Sequence, residues 1–264
     1  GDVLTERSIE CFRKLRPYFG ECLDTMKEME HLDLESKDGK APGGFMYPLY
    51  EIGVPFIYMN AVGSQRDVVT MVHEGGHAVH SFLSRDLELT EFKSTPSEVA
   101  ELASMSMELL SMKHWDVFYK NKEELKRAKQ EQLEKVLEGL PWITAIDKFQ
   151  HWIYTTNHTA EERREQWLEI SSQFGNQIID WSGQEESLAN QWQKQLHLYE
   201  VPFYYIEYGM AQLGAIAMWR EYILKGENAL DKYMEALKLG YTKSISEIYE
   251  TAGIKFNFSI SYVK

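Results

Sequence analysis

Two histidines four residues apart, with a glutamate directly after the first, are the residues of this chain best placed to do chemistry. They lie in the run His73-Glu74-Gly75-Gly76-His77. On a helix of about 3.6 residues per turn, positions i and i+4 sit one above the other. His73 and His77 can then reach one metal ion, and Glu74 stands beside that ion's open side. Such a set suits hydrolysis of an amide by an activated water, with the carboxylate as base. Hydrolytic zinc takes three protein ligands and leaves a position for water, so a third ligand is needed. The candidates are Glu88, Glu91, Glu98, Glu101, Glu108 and the remaining histidines. Glu88 and Glu91 fall in a loop, and Glu98 reads as a helix-capping residue. Glu101, one turn into its helix, is the best ligand from spacing. Glu108, seven residues on and on nearly the same face, can accept the ring N–H of a ligating histidine. His80 shares the face of His73 and His77 and is a packed neighbour, since a fourth ligand would close the site.

The elements that must hold these residues can be read around them. Ser64-Gln65-Arg66-Asp67 forms an N-cap with an acidic first turn, and Val68, Val72, Val79 and Phe82 give an apolar flank. This predicts a helix from about Arg66 to Ser84. Two adjacent glycines inside a helix cost roughly 1 kcal/mol each against alanine, which points to close packing or to room beside a metal. Thr95-Pro96-Ser97-Glu98 reads as a capping box with proline at the first helical position, opening a helix to about Tyr119. A charged helix over 121–139 is expected to end at Gly139 before Pro141 and to present a solvated face. Further helices are expected at about 142–157, 161–173, 184–198, 203–224, 227–239 and 244–252. Upstream, residues 3–29 are helical with Pro17 as a kink or break. Segments 31–35, 45–47 and 55–59 read as short strands. The fold class is therefore mainly α, with a small β-sheet at about residues 30–60 beside the helix that carries His73.

Composition narrows the choice. With 264 residues, 44% of them hydrophobic, the chain can bury a substantial core. No run of 18 apolar residues is present, so no transmembrane span is expected, and no signal peptide opens the sequence. The chain starts with Gly-Asp rather than Met and is read as cut or processed. A formal charge of -13 repels phosphate backbones and argues against nucleic acid. Cys11 and Cys22, on one predicted helix about 16 Å apart by rise, cannot bond to each other, and a reduced, cytoplasmic setting is expected.

The motifs together resemble a known family. His73-Glu-Gly-Gly-His77 followed by Ala100-Glu101-Leu-Ala-Ser-Met-Ser-Met-Glu108 is similar to the oligoendopeptidase F branch of the thimet oligopeptidase family of zinc metallopeptidases. Gly39-Lys-Ala-Pro-Gly-Gly44, the strand at 55–59, Asn60-Ala-Val-Gly63 and His197-Leu-Tyr-Glu-Val-Pro-Phe-Tyr-Tyr-Ile-Glu-Tyr208 resemble that branch too. The resemblance covers about residues 30–255. It implies a zincin-like catalytic domain over 1–264, with 1–63 as helix plus sheet and 64–264 carrying the zinc site and substrate segment. It also implies that the family's N-terminal half is absent. His73, His77 and Glu101 would hold one zinc ion, and Glu74 would be the general base. His197, Tyr205 and Tyr208 would hold substrate and stabilise the oxyanion. Tyr208 is taken first, but the choice stays open because the His-to-Tyr spacing is one residue shorter here than in the thimet-type branch.

The expected activity is endopeptidase cleavage of short peptides, with the strand at 55–59 and the Gly43-Gly44 loop pairing to the substrate backbone. The alternatives are a zinc-binding peptide module without turnover and a zinc exopeptidase. The first would lack Glu74 or a ligand, and none is missing. The second needs a charged clamp for a chain end, and no arginine cluster lies near the motifs.

Overall fold

A computed structural model of the protein describes residues 1–175 and 178–264. The chain divides into two compact units, one of residues 1–132 with 211–264 and one of residues 133–210.

The first unit opens with α1 (Asp2–Leu15) and α2 (Pro17–Glu28). The expected helix over 3–29 is broken, not kinked. Arg16 is extended and Pro17, lacking an N–H, serves as the first residue of a new helix. Cys11 and Cys22 thus sit on two helices rather than along one face, and both are free and buried. A three-stranded sheet follows, of β1 (Leu32–Glu35), β2 (Phe45–Tyr47) and β3 (Phe56–Ala61), in the order β1-β3-β2. β1 runs parallel to β3 and β2 antiparallel, with Met46 opposite Ile57. β3 alternates as a strand with one buried face should, Ile57 and Met59 inward. It is the central strand, so the expectation that segment 55–59 offers a free edge to substrate is corrected: β3 is paired on both sides, and the open edge nearest the motif helix belongs to β2. The loop before β2 is tied to β3, since Tyr58 Oη and Asn60 Nδ2 donate to the Ala41 carbonyl, each at 2.8 Å.

α3 (Gln65–Ser84) starts where the sequence placed it. Asp67 caps it by accepting the Val62, Gly63 and Ser64 N–H groups at 2.7–2.9 Å. After the short α4 (Thr90–Lys93), α5 (Ser97–Ser111) begins without the expected capping box: Pro96 is the cap residue and no side chain caps it. A 3-10 segment, Met112–Val117, continues from α5 in place of the expected α-helix to Tyr119. The glycine pair lets α3 pack closely on two neighbours, α5 at Gly76 and α1 at Gly75. A Cβ on Gly76 would stand 2.7 Å from Ser104 Cα, and one on Gly75 would meet the Phe12 ring at 2.6 Å.

α6 (Lys122–Thr155) passes through Gly139 and Pro141 where two helices were expected. Pro141 costs one backbone hydrogen bond, that of the Leu137 carbonyl. Leu137 is exposed, so water can serve that group, while Ile143, Ile146 and Phe149 beyond it are buried. In the second unit the later part of α6 is joined by α7 (Ala160–Phe174), α8 (Glu185–Ala189), a 3-10 turn at Gln191–Lys194 and α9 (His197–Glu200). These short pieces replace the single helix expected over 184–198. Its core is aromatic: Phe149, Trp167 and Trp192 are buried with Ile146, Ile170 and Leu198. α10 (Ile206–Lys225) leaves this unit after Met210 and continues in the first. There α11 (Glu227–Lys238) and α12 (Ile245–Thr251) grip the backbone of α5. Tyr233 Oη donates to the Ala103 carbonyl at 2.7 Å and Tyr249 Oη to that of Glu98 at 2.8 Å. A last turn, α13 (Ile260–Val263), ends the chain. Among the described residues no helix is long and apolar enough to cross a membrane.

Candidate active site

The helical phase of α3 and the glycine contact with α5 bring His73, His77 and Glu101 together. Their ligand-type atoms all lie within 4.8 Å of one another. Glu101 Oε2 is 3.3 Å from His73 Nε2 and 3.7 Å from His77 Nε2. Ligands about 2.0–2.1 Å from a tetrahedral zinc ion stand about 3.4 Å apart, so the two imidazoles and the carboxylate fit such an ion. The two rings stand nearly perpendicular, with centroids 4.9 Å apart.

His73 and Glu101 are each held from behind by a side chain. Glu108 Oε1 accepts from His73 Nδ1 at 2.6 Å, which leaves Nε2 to face Glu101. The role open to Glu108 from spacing is the one it occupies. Ser104 Oγ donates to Glu101 Oε2 at 2.9 Å. This partner was missed in the sequence, though it lies three residues after Glu101 on the same helix. Gln132 Nε2 donates to Glu108 Oε2 at 2.5 Å, a contact from α6 that no local spacing announces.

Burial and charge set the protonation of the group. Burial alone would lower the His73 pKa, but hydrogen bonds to Glu101 and Glu108 outweigh it and raise the value well above normal. His77 is lowered to about 4, chiefly by burial. Burial would raise Glu101, yet His73 and His77 beside it bring it down to about 2. Glu74 is pushed up to about 7, first by burial and then by the Glu101 carboxylate. His73 and the Met46 backbone N–H of β2 act against that rise. His80 is buried beside the group and its Nε2 has no hydrogen-bond partner among the described residues.

The remaining sequence-predicted residues meet in the second unit. His197 packs against Tyr204, Tyr205 and Tyr208, with ring centroids 6.0, 4.9 and 5.6 Å away. Gln195 fixes its tautomer. The Trp142 indole N–H, which can only donate, meets Gln195 Oε1 at 3.1 Å, so the Gln195 amide nitrogen faces His197 Nδ1 at 2.6 Å. Nδ1 therefore accepts, and Nε2 carries the proton. Tyr205 packs on the aromatic core of its unit, and burial raises its pKa.

The model of peptidase family M3 matches residues 21–264. The chain belongs to peptidase family M3. The match extends beyond both ends of the 30–255 span carried by the motifs. Among curated relatives, oligopeptidase PepF of Bacillus subtilis (strain 168) is 25% identical over 238 residues, which is 86% of this chain and 34% of that protein. The plasmid oligoendopeptidase F of Lactococcus lactis subsp. cremoris is 23% identical over 232 residues, 86% of this chain and 38% of that protein. The solved structure of PZ peptidase A with inhibitor 2 superposes with a TM-score of 0.90 at 30% identity, covering 97% of this chain and 46% of that one. The M3 chain thus spans between about a third and just under half the length of these relatives. The oligoendopeptidase F branch and the mainly α, zincin-like fold are those expected from the motifs.

Proposed function

We propose that this chain carries the catalytic machinery of a zinc-dependent oligoendopeptidase, cleaving internal bonds of short peptides. The observation that supports it most is the convergence of His73 Nε2, His77 Nε2 and Glu101 Oε2 beside a buried Glu74. Two imidazoles and one carboxylate suit zinc, and zinc bound there would supply Lewis acidity, polarising the scissile carbonyl and acidifying water.

Glu74 is the general base. In the metal-free site burial raises its carboxyl to about 7, and such an environment favours a group that both accepts and returns a proton. It takes the proton from the attacking water and passes it to the leaving amine. The substrate lies as an added strand along β2, whose Met46 N–H adjoins Glu74. Main-chain hydrogen bonds of that kind tolerate many side chains, as a broad oligopeptidase requires. The oxyanion is met by a phenol O–H, assigned to Tyr208 because Tyr205 is committed to the core of its unit. His197 helps to hold the substrate beside that tyrosine. The named relatives, an oligopeptidase and an oligoendopeptidase, support the same substrate class.

The test is a matched pair of internally quenched peptides, one with free ends and one with both ends blocked. Equal cleavage of the two, abolished by a chelator and restored by zinc, is expected. Cleavage of the free-ended peptide alone would make the activity that of an exopeptidase.

A further inference from the structure

Gln132 is a buried polar residue in a stretch of α6 otherwise rich in lysine and glutamate. It is 2% exposed, and Ala128, one turn before it, is buried too. Its Nε2 donates to Glu108 Oε2 at 2.5 Å, and Glu108 Oε1 in turn meets His73 Nδ1 at 2.6 Å. One hydrogen-bonded line therefore crosses three helices, from α6 through α5 to α3. The same face of α6 is tied directly to α3, since Gln65 Nε2 donates to the Ala128 carbonyl at 3.3 Å.

The other end of the Gln132 amide is not matched in this way. Its Oε1 is buried with no hydrogen-bond partner among the described residues. A buried, unpaired amide oxygen costs stability, so the residue is not explained by what it adds to folding. Reversing the amide would set its oxygen against the Glu108 carboxylate, two acceptors with no proton between them. The donor is also neutral. A lysine there would cancel the charge of Glu108, and a carboxylate would repel it. An amide orients the carboxylate and leaves its charge to act on the imidazole.

We propose that Gln132 is a positioning residue of the metal centre. It turns Glu108 so that Oε1 holds the His73 Nδ1–H and Nε2 faces the cation. This rests on the metal-binding role of His73, His77 and Glu101 argued above.

The experiment measures zinc affinity of the purified chain by competition with a chromophoric chelator, beside the melting temperature of the metal-free protein. Gln132→Met keeps the length of the side chain and removes the donor. It is expected to weaken zinc binding about 3- to 10-fold, less than the roughly 10- to 100-fold loss typical when a direct partner of a ligand is removed. Glu108→Ala should show that larger loss, and adding Gln132→Met to it should change affinity no further. Gln132→Glu, should the methionine variant not fold, is expected to weaken binding at neutral pH. Unchanged affinity in the variant that folds, with or without a lower melting temperature, overturns the proposal. So does an equal loss from Gln132→Met with and without Glu108, since the effect would then bypass the carboxylate. Failure of the unaltered chain to bind zinc would instead overturn the metal reading beneath it.

Discussion

The two units hold their candidate residues in opposite ways. In the first, every donor stands on a long helix: His73 and His77 four apart on α3, Glu101 and Glu108 seven apart on α5. Direction follows from helical phase, and His73, Glu101 and Glu108 each have a hydrogen-bonded side chain behind them. In the second, His197 rides on a four-residue helix, Tyr204 and Tyr205 lie in a turn, and Tyr208 is in the first turn of α10. That turn includes Phe203 at φ 67°, a left-handed conformation strained for an aromatic residue, held where the Phe203 N–H donates to buried Gln150 Oε1 at 2.9 Å. Within the ring cluster Tyr208 stands edge-on to His197, Tyr204 and Tyr205. A metal centre needs donors fixed to a fraction of an ångström, and helices supply that. The residues proposed to meet substrate are carried on a turn instead, where Gln195, itself held by Trp142, fixes the His197 ring.

The largest effect should come from the rigid side of this contrast. Glu74→Gln keeps the shape of the side chain and removes the base, so hydrolysis should fall by 10²- to 10⁴-fold, the usual worth of general base catalysis, while zinc content stays at wild-type level. Retained turnover would take Glu74 out of the chemistry. On the other side, Tyr208→Phe should lower kcat about 10²- to 10³-fold, as loss of an oxyanion donor does, with KM little changed. Tyr205→Phe should alter kcat far less. The reverse ranking would move the donor to the residue packed on the core, and a rise in KM alone would make the tyrosine a binding group.

The same Glu74 substitution has a signature without substrate. A carboxyl raised from 4.5 to about 7 on folding is protonated in the native chain where the unfolded chain is already ionised. Native stability therefore falls as pH rises from about 4.5 to 7, and the loss is complete above that. The shift corresponds to on the order of 3 kcal/mol. In metal-free protein the stability of Glu74→Gln relative to wild type should climb by about that amount between pH 4.5 and 8, read from urea unfolding. A flat difference would show that Glu74 is not held in a site that penalises its charge.

The contrast also explains what could be read in advance. The α3 helix, its cap, the shared face of His73 and His77 and the place of Glu108 on the face of Glu101 follow from residue type and helical spacing, which are local. The break at Pro17, the 3-10 segment after Ser111 and the division of 184–198 into short pieces depend on what those segments pack against. The central position of β3 could not be read either, because strand order is a property of pairing and not of any one strand. Gln132 reaches Glu108 from another helix 24 residues away, a distance over which periodicity carries no information. The motif segment around His197 was recognised by resemblance, since aromatics at that spacing are ordinarily core, and Tyr205 is indeed packed there.

A single substitution made at two glycines turns the comparison into numbers. Gly76→Ala would place a Cβ 2.7 Å from Ser104 Cα and 3.0 Å from the Ala103 carbonyl, backbone that Tyr233 and Tyr249 hold in place. The added methyl must push α5 and Glu101 away from α3. A cost of about 1–3 kcal/mol is expected, reduced by the roughly 1 kcal/mol that alanine gains over glycine in a helix, and zinc affinity should fall with it. Gly139→Ala, in the long α6, meets nothing within 4 Å, so only the helical preference remains and the protein should gain roughly 0.5–1 kcal/mol. That gain depends on α6 running unbroken through Pro141. If the alanine instead destabilises the chain, Gly139 is serving as the end of one helix, and the sequence's own division of this segment into two would be restored.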